Sequence, residues 1–356
     1  MFKPLLALVL CALACSAQAA DDTLLTATER STAIQAGRNL ARYVAQPAGL
    51  ALKVLPTVGS TENIKRLARE GGVRLALVQS DVYQAWVDQA SAGDGEAARL
   101  ARPLRVVMPL YDEEIHFVVR ADSPLRYVHQ IRDARINVGP AGSGTALTAI
   151  NLYRWMFGTD LPASSISALS DEDALVKLTT DRSVDVVVVV GGQPSRLFAD
   201  MKTQAHQYIR LLAVDPLAPE MLAANAVYSP AVIRSASYPT WLAEDVPSLA
   251  VRSLLVTSDV HTPKARESLV RFAQAMCENF ARLKADGHAK WREVTLGQPP
   301  LPKGWLYYAP TRRVLADCAG ADQARMAALI TAAADAATNR CAQDRAQLGL
   351  CSASAP

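Results

Sequence analysis

The feature that most constrains this chain is a recurring order of short apolar segment, small-residue turn and amphipathic helix. Residues 51–58 (ALKVLPTV) read as a strand. A helix is predicted over 61–70, with Ile64 and Leu67 three apart on one face and a cap at Ser60 or Thr61. Residues 74–78 form a short buried strand. Two further strands, 104–110 and 115–120, flank the acidic triplet Asp112-Glu113-Glu114, which reads as a solvated turn. Strand 135–138 runs through Gly139-Pro140-Ala141-Gly142-Ser143-Gly144 into a helix from 145 to 157. A helix over 171–179 and strands over 184–190 and 208–213 continue the pattern. Such alternation predicts an α/β fold with parallel-type sheets. After Tyr228 come a strand at 251–257, a long helix at 262–284, a Pro- and Gly-rich connection at 295–303 and an Ala-rich helix at 322–347.

The ends of the chain bear on its destination. Lys3, an apolar core over 5–14 and Ala17-Gln18-Ala19 form the three-part pattern of a cleaved secretory signal. The apolar core is shorter than the roughly 20 residues a membrane span needs. The signal is assigned to 1–19, and the mature chain is expected in the periplasm. A lipoprotein reading is weaker, because Ala12-Leu13-Ala14 before Cys15 is a poor lipobox. Net charge is +3, and loss of Lys3 leaves +2. With Lys and Arg dispersed, this argues against a nucleic-acid partner. Of six cysteines, Cys277, Cys318, Cys341 and Cys351 lie beyond the signal. An even number in an exported chain points to disulfides. Three pairings are open, and Cys277–Cys318 with Cys341–Cys351 is preferred. Without a CxxC or a neighbouring His, a zinc site is not expected.

Five stretches, in order, resemble the TAXI family, the solute receptors of tripartite ATP-independent periplasmic (TRAP) transporters. They are Gly59-Ser60-Thr61-Glu62-Asn63, Leu75 to Asp81 (LALVQSD), Asn137 to Thr145 (NVGPAGSGT), Gly191-Gly192-Gln193-Pro194, and Val246-Pro247-Ser248 with Ser253 to Ser258 (SLLVTS). The resemblance covers about 54–285. It implies a two-lobed periplasmic binding protein fold of type II character. Lobe 1 would comprise 20–117 with 228–300, lobe 2 118–227, and a helical extension 301–356. Crossings are expected near 117–120 and 226–229. The resemblance further implies small carboxylate ligands, such as glutamate or 2-oxo acids, and the membrane subunits of a TRAP-type transporter as partners. One stretch departs from it: over 26–37 (TATERSTAIQAG), Glu29 and Arg30 stand where the family has glycines that expose backbone.

Several residues are candidate ligand contacts. Gly142, Ser143, Gly144 and Thr145 sit where a strand gives way to a helix, and N–H groups at a helix N-terminus favour an anion. Gly59, Ser60, Thr61 and Asn63 repeat the arrangement. Gln79 and Ser80 follow a buried strand as hydrogen-bonding candidates; Asp81 reads equally as an amine acceptor or a helix cap. Gly191 and Gln193 end the valine run. Arg30 is a candidate bidentate carboxylate ligand. An enzyme is not expected. Ala141 to Thr145 lacks the outer glycines of a nucleophile elbow. The five histidines form no metal motif, and there is no P-loop or dinucleotide fingerprint, so no cofactor is expected. The sequence and the resemblance therefore predict a monomeric receptor that captures a small anionic solute, a carboxylate or amino acid, between two lobes. The alternative is a ligand-sensing module that docks on a sensor protein.

Overall fold

The computed structural model describes residues 22–259, 262–320 and 331–333. The predicted signal, the 322–347 helix and the Cys341–Cys351 pair lie essentially or wholly outside these residues. The strands are β1 (Asp22–Leu25), β2 (Leu52–Leu55), β3 (Val73–Gln79), β4 (Leu104–Arg120), β5 (Ile136–Asn137), β6 (Ile166–Ser167), β7 (Val186–Gly191), β8 (Ile209–Leu211), β9 (Ser229–Ile233) and β10 (Val246–Ser258). The helices are α1 (Thr32–Asn39), α2 (Ser60–Arg69), α3 (Ser80–Ser91), α4 (Gly95–Ala101), α5 (Gly144–Phe157), α6 (Asp171–Thr179), α7 (Arg196–Ala199), α8 (Met221–Asn225) and α9 (Pro263–Asp286). The fold is mixed α/β around a central sheet. Its order is β2-β1-β3-β10-β4-β7-β5-β6, with β8 added to β4 and β9 to β10.

Two long strands tie the sheet together. The first part of β4 pairs with β10 up to Glu114; from Glu114 onward it pairs with β7, and at its end with β8. Conversely, β10 pairs with β9 up to Ala250 and with β4 and β3 beyond it. The helices bury the apolar faces of the sheet in four clusters. Two surround β1–β3: one is closed by α1 and α9, the other by α2, α3 and α4. Two surround β7: one is closed by α5 and α8, the other by α6 and α7. These pairs of clusters define a first and a second half of the molecule.

One expectation is corrected. Residues 104–120 form one strand, and the acidic triplet is no turn: Glu113 is 5% exposed and Glu114 is 4% exposed. Pairing on both edges carries the strand through residues whose charge alone suggests a bend. Ile233, Tyr238 and Trp241 pack with Val118, Val187 and Phe198 of the second half. The changes of strand partner fall at Glu114 and Ala250.

A disulfide links Cys277 on α9 to Cys318 in the helix over 309–320, with Cα atoms 6.0 Å apart. It fastens the C-terminal return to the first half. Among the described residues, no helix is long and apolar enough to cross a membrane.

Candidate functional site

Three helix N-termini meet at one cavity between the halves. Strand β1 leads through Thr26 and Ala27 to α1, whose Ser31 cap accepts from Ile34 N at 3.2 Å. Gly59 precedes α2. Its φ of 134° lies in the region that favours glycine, and its backbone faces the start of α5. Ser143 caps α5 by accepting from Ala146 N at 3.0 Å. The first turn of a helix leaves N–H groups without intrahelical acceptors and carries partial positive charge. Here Ser31, Thr32 and Ala33 of α1, Gly59 and Ser60 of α2, and Gly144 and Thr145 of α5 line a space of about 50 Å³. That volume holds a few waters or a small solute. The altered 26–37 segment thus does line the site, through α1 and the residues just before it.

The halves touch directly around this space. Glu62 N, in the first turn of α2, donates to Gly142 O at 3.1 Å. Thr32 Oγ1 donates to Gly192 O. Asp81 in α3 accepts from Thr148 Oγ1 of α5 at 2.6 Å and from Tyr228 OH at 3.5 Å. Burial raises the Asp81 carboxyl to about 6, while the bonds from Thr148, Val82 and Tyr228 pull it back.

Among the lining residues, Glu113 is the ionisable one. Alternation along β4 turns it into the cavity and Glu114 to the opposite face. The register places Ser253 beside Gln79 and Val251 beside Glu113. Gln79 Nε2 donates to Glu113 Oε2 at 2.7 Å. Burial pushes the Glu113 carboxyl up to about 7; hydrogen bonds from Gln79 and Ser253 oppose this, and Glu114 and Asp81 add to it. A carboxyl raised from about 4.5 contributes stability that is complete below that value and is lost as pH rises through about 7. The Glu113→Gln variant escapes that loss. Its unfolding midpoint should lie several degrees above wild type at pH 8, corresponding to at most about 3 kcal/mol, and close to wild type at pH 5. Thermal unfolding at both pH values checks this, and an equal offset at both would exclude the assignment.

The predicted site residues divide clearly. Gly59, Ser60, Gln79, Gly144, Thr145 and Gly191 line the cavity. Thr61, Gly142 and Ser143 line an outer groove instead. Asn63 is fully committed to the frame: Nδ2 donates to Thr26 O and Leu77 O, and Oδ1 accepts from Thr57. Ser80 Oγ accepts from Arg252 N. Gln193 bonds Val232 O and Arg234 N through its amide and stays outside the cavity. Arg30 is on the surface, where it reaches Arg196 O, Asp200 and Glu172 of the second half. Its carboxylate partners are internal, and it does not line the cavity. The sequence reading missed Thr26, Thr32, Glu113 and Ser253. Only the β3–β10–β4 register brings Glu113 and Ser253 beside Gln79. Among the described residues, no group of three His, Cys, Asp or Glu is placed to hold a metal ion.

A model of the NMT1-like family matches residues 24–299. Similar solved structures include XAC2383 from Xanthomonas citri bound to ATP, at 14% identity over 85% of this chain and 97% of that chain, with a TM-score of 0.43. The putative periplasmic sulfonate-binding protein SsuA from Methylobacillus flagellatus is 10% identical over 82% of this chain and 76% of its own, with a TM-score of 0.44. The arginine-, lysine- and histidine-binding protein ArtJ from Geobacillus stearothermophilus is 11% identical over 74% and 99%, with a TM-score of 0.40. The chain belongs to the NMT1-like family.

Proposed function

We propose that this protein is an exported, monomeric receptor that closes two lobes around a small anionic solute and delivers it to a membrane transporter. The lobes are 22–113 with 251–300, and 114–250, pivoting where β4 and β10 change partners. One observation carries the reading: three helix N-termini from both sides converge on one small cavity, a setting that favours negative charge. The Glu62–Gly142, Thr32–Gly192 and Asp81–Thr148 bonds join the lobes when closed, so solute contacts with both sides select the closed form. The ordered resemblance to TAXI receptors supports TRAP-type membrane subunits as the recipient.

Solute binding to the folded state raises the unfolding midpoint by mass action, with about 2.7 kcal/mol at one hundred times Kd. Small carboxylates, sulfonates and amino acids should therefore include members that raise it by several degrees. If none of a broad panel does so at 10 mM, anion capture is ruled out.

A further inference from the structure

The helix ends bring partial positive charge to the cavity, but no side chain brings a full one. Among the described residues lining it, none is Lys, Arg or His, and the one ionisable group is the acidic Glu113. Glu113 is 5% exposed, so water screens its charge little. Strand β3 presents Gln79 to it and β10 presents Ser253, both uncharged. The side chains that α1, α2 and α5 turn to the same space, Ser31, Thr32, Ser60 and Thr145, do not titrate in this range. The ionisable neighbours of Glu113 are Asp81 on α3 and Tyr111 and Glu114 on β4, all acids. Buried Lys290 is committed to Glu114 and Glu293. An anion drawn in by the helix ends therefore arrives beside a carboxyl with no cation between them. A like charge raises the pKa of the weaker acid, which then takes up a proton. Burial, Glu114 and Asp81 already push Glu113 up, so it is the weaker acid beside a solute carboxylate or sulfonate. The neutral carboxyl is also the better partner, because it has an O–H to donate, whereas a carboxylate only accepts.

Resting on the capture reading above, we infer that each solute anion is captured together with one proton from the solvent, held on Glu113, whose O–H donates to the anion. Gln79 Nε2 continues to donate to Oε2, and Oε1 carries the proton. The sign of the pH dependence follows. Glu113 holds its proton more tightly in the complex than in the free receptor. Affinity is therefore highest at low pH and falls as pH rises between the two Glu113 values, by at most about tenfold per pH unit for one proton.

The test is calorimetric titration at pH 7 in two buffers of different ionisation enthalpy, which reads the protons taken up per solute. The probes are acetate, pyruvate and ethanesulfonate, which carry no cation and stay ionised above pH 6. Wild type should take up about half a proton or more with whichever of them binds, and its affinity should fall about fivefold or more from pH 6 to pH 8. Glu113→Gln keeps a donor but cannot take up the proton. It should bind the same solute with no proton uptake, and its affinity should hold within about twofold over that range. If this variant fails to fold, the proton count on wild type still decides. Binding without proton uptake, or a pH dependence that survives in Glu113→Gln, would overturn the inference and leave anion capture standing. So would binding of alanine or taurine but of none of the three plain anions, since the cation would then come with the solute. If no member of the broad panel above binds, both readings fall.

Discussion

Replacing Gly144 with alanine is expected to lower solute affinity by about 5- to 150-fold while the unliganded protein unfolds at its usual temperature. The added methyl would sit 1.8 Å from Gln79 Oε1 and 2.8 Å from Ser60 Oγ, both contributed by the first half, whereas Gly144 belongs to the second. The collision exists only when the halves are together. Overpacking of this kind costs about 1–3 kcal/mol, and a penalty confined to the closed state subtracts directly from binding. Gly191→Ala is the control. It lines the same cavity, yet a Cβ there meets nothing within 4 Å. Titration of both variants with the same solute should separate them. If Gly144→Ala binds like wild type, or Gly191→Ala is impaired equally, the close approach at α5 does not govern closure.

These two glycines show what was legible in the sequence. Gly191 ends β7 and Gly144 opens α5, each in a small-residue run, and local pattern alone marks both as candidate ligand contacts. Local pattern also yields the alternation of strands and helices, because this depends on neighbours a few residues away; the cap it places at Ser60 or Thr61 is in fact Gly59, which makes no side-chain cap bond. What local pattern cannot supply is the direction of a side chain set by distant pairing. Asn63 and Gln193 sit in ligand-like motifs, but their amides are spent on Leu77 and Thr26, and on Val232 and Arg234. Glu113 and Glu114 look like a solvated turn because charge usually marks exposure. They are buried because β10 and β7 flank β4 at that point, and each finds polar partners from elsewhere in the chain. The histidine two residues on makes the same point. Fully buried His116 stacks on Phe198 and bonds the Tyr238 hydroxyl, and burial depresses its imidazole to about 4.

The second large effect concerns the point where β4 changes partners. Lys290 follows α9, and its side chain is 2% exposed. Its Nζ lies 2.6 Å from Glu114 Oε1 and 2.9 Å from both Glu293 oxygens. Glu114 Oε2 accepts from Gln193 N at 3.1 Å, so one carboxylate joins the C-terminal return to the loop after β7 at the residue where β4 changes partners. The Lys290 stem also packs against Gly192. Removing one member of a buried pair strands the other, at a typical cost of about 3–5 kcal/mol. Lys290→Met keeps the stem and should cost that much at pH 8. Burial already raises the Glu114 carboxyl even with its cation present, and losing Lys290 raises it further. A carboxyl raised in the folded state loses its stabilising contribution as pH rises, so the penalty should be smaller at pH 5 than at pH 8. Adding Glu114→Gln removes the stranded charge and should recover most of the loss, which denaturant titration of the single and double variants measures. A double variant as unstable as Lys290→Met would assign the cost to packing of the lysine stem. A single variant within 1 kcal/mol of wild type would show that the pair does not hold this junction.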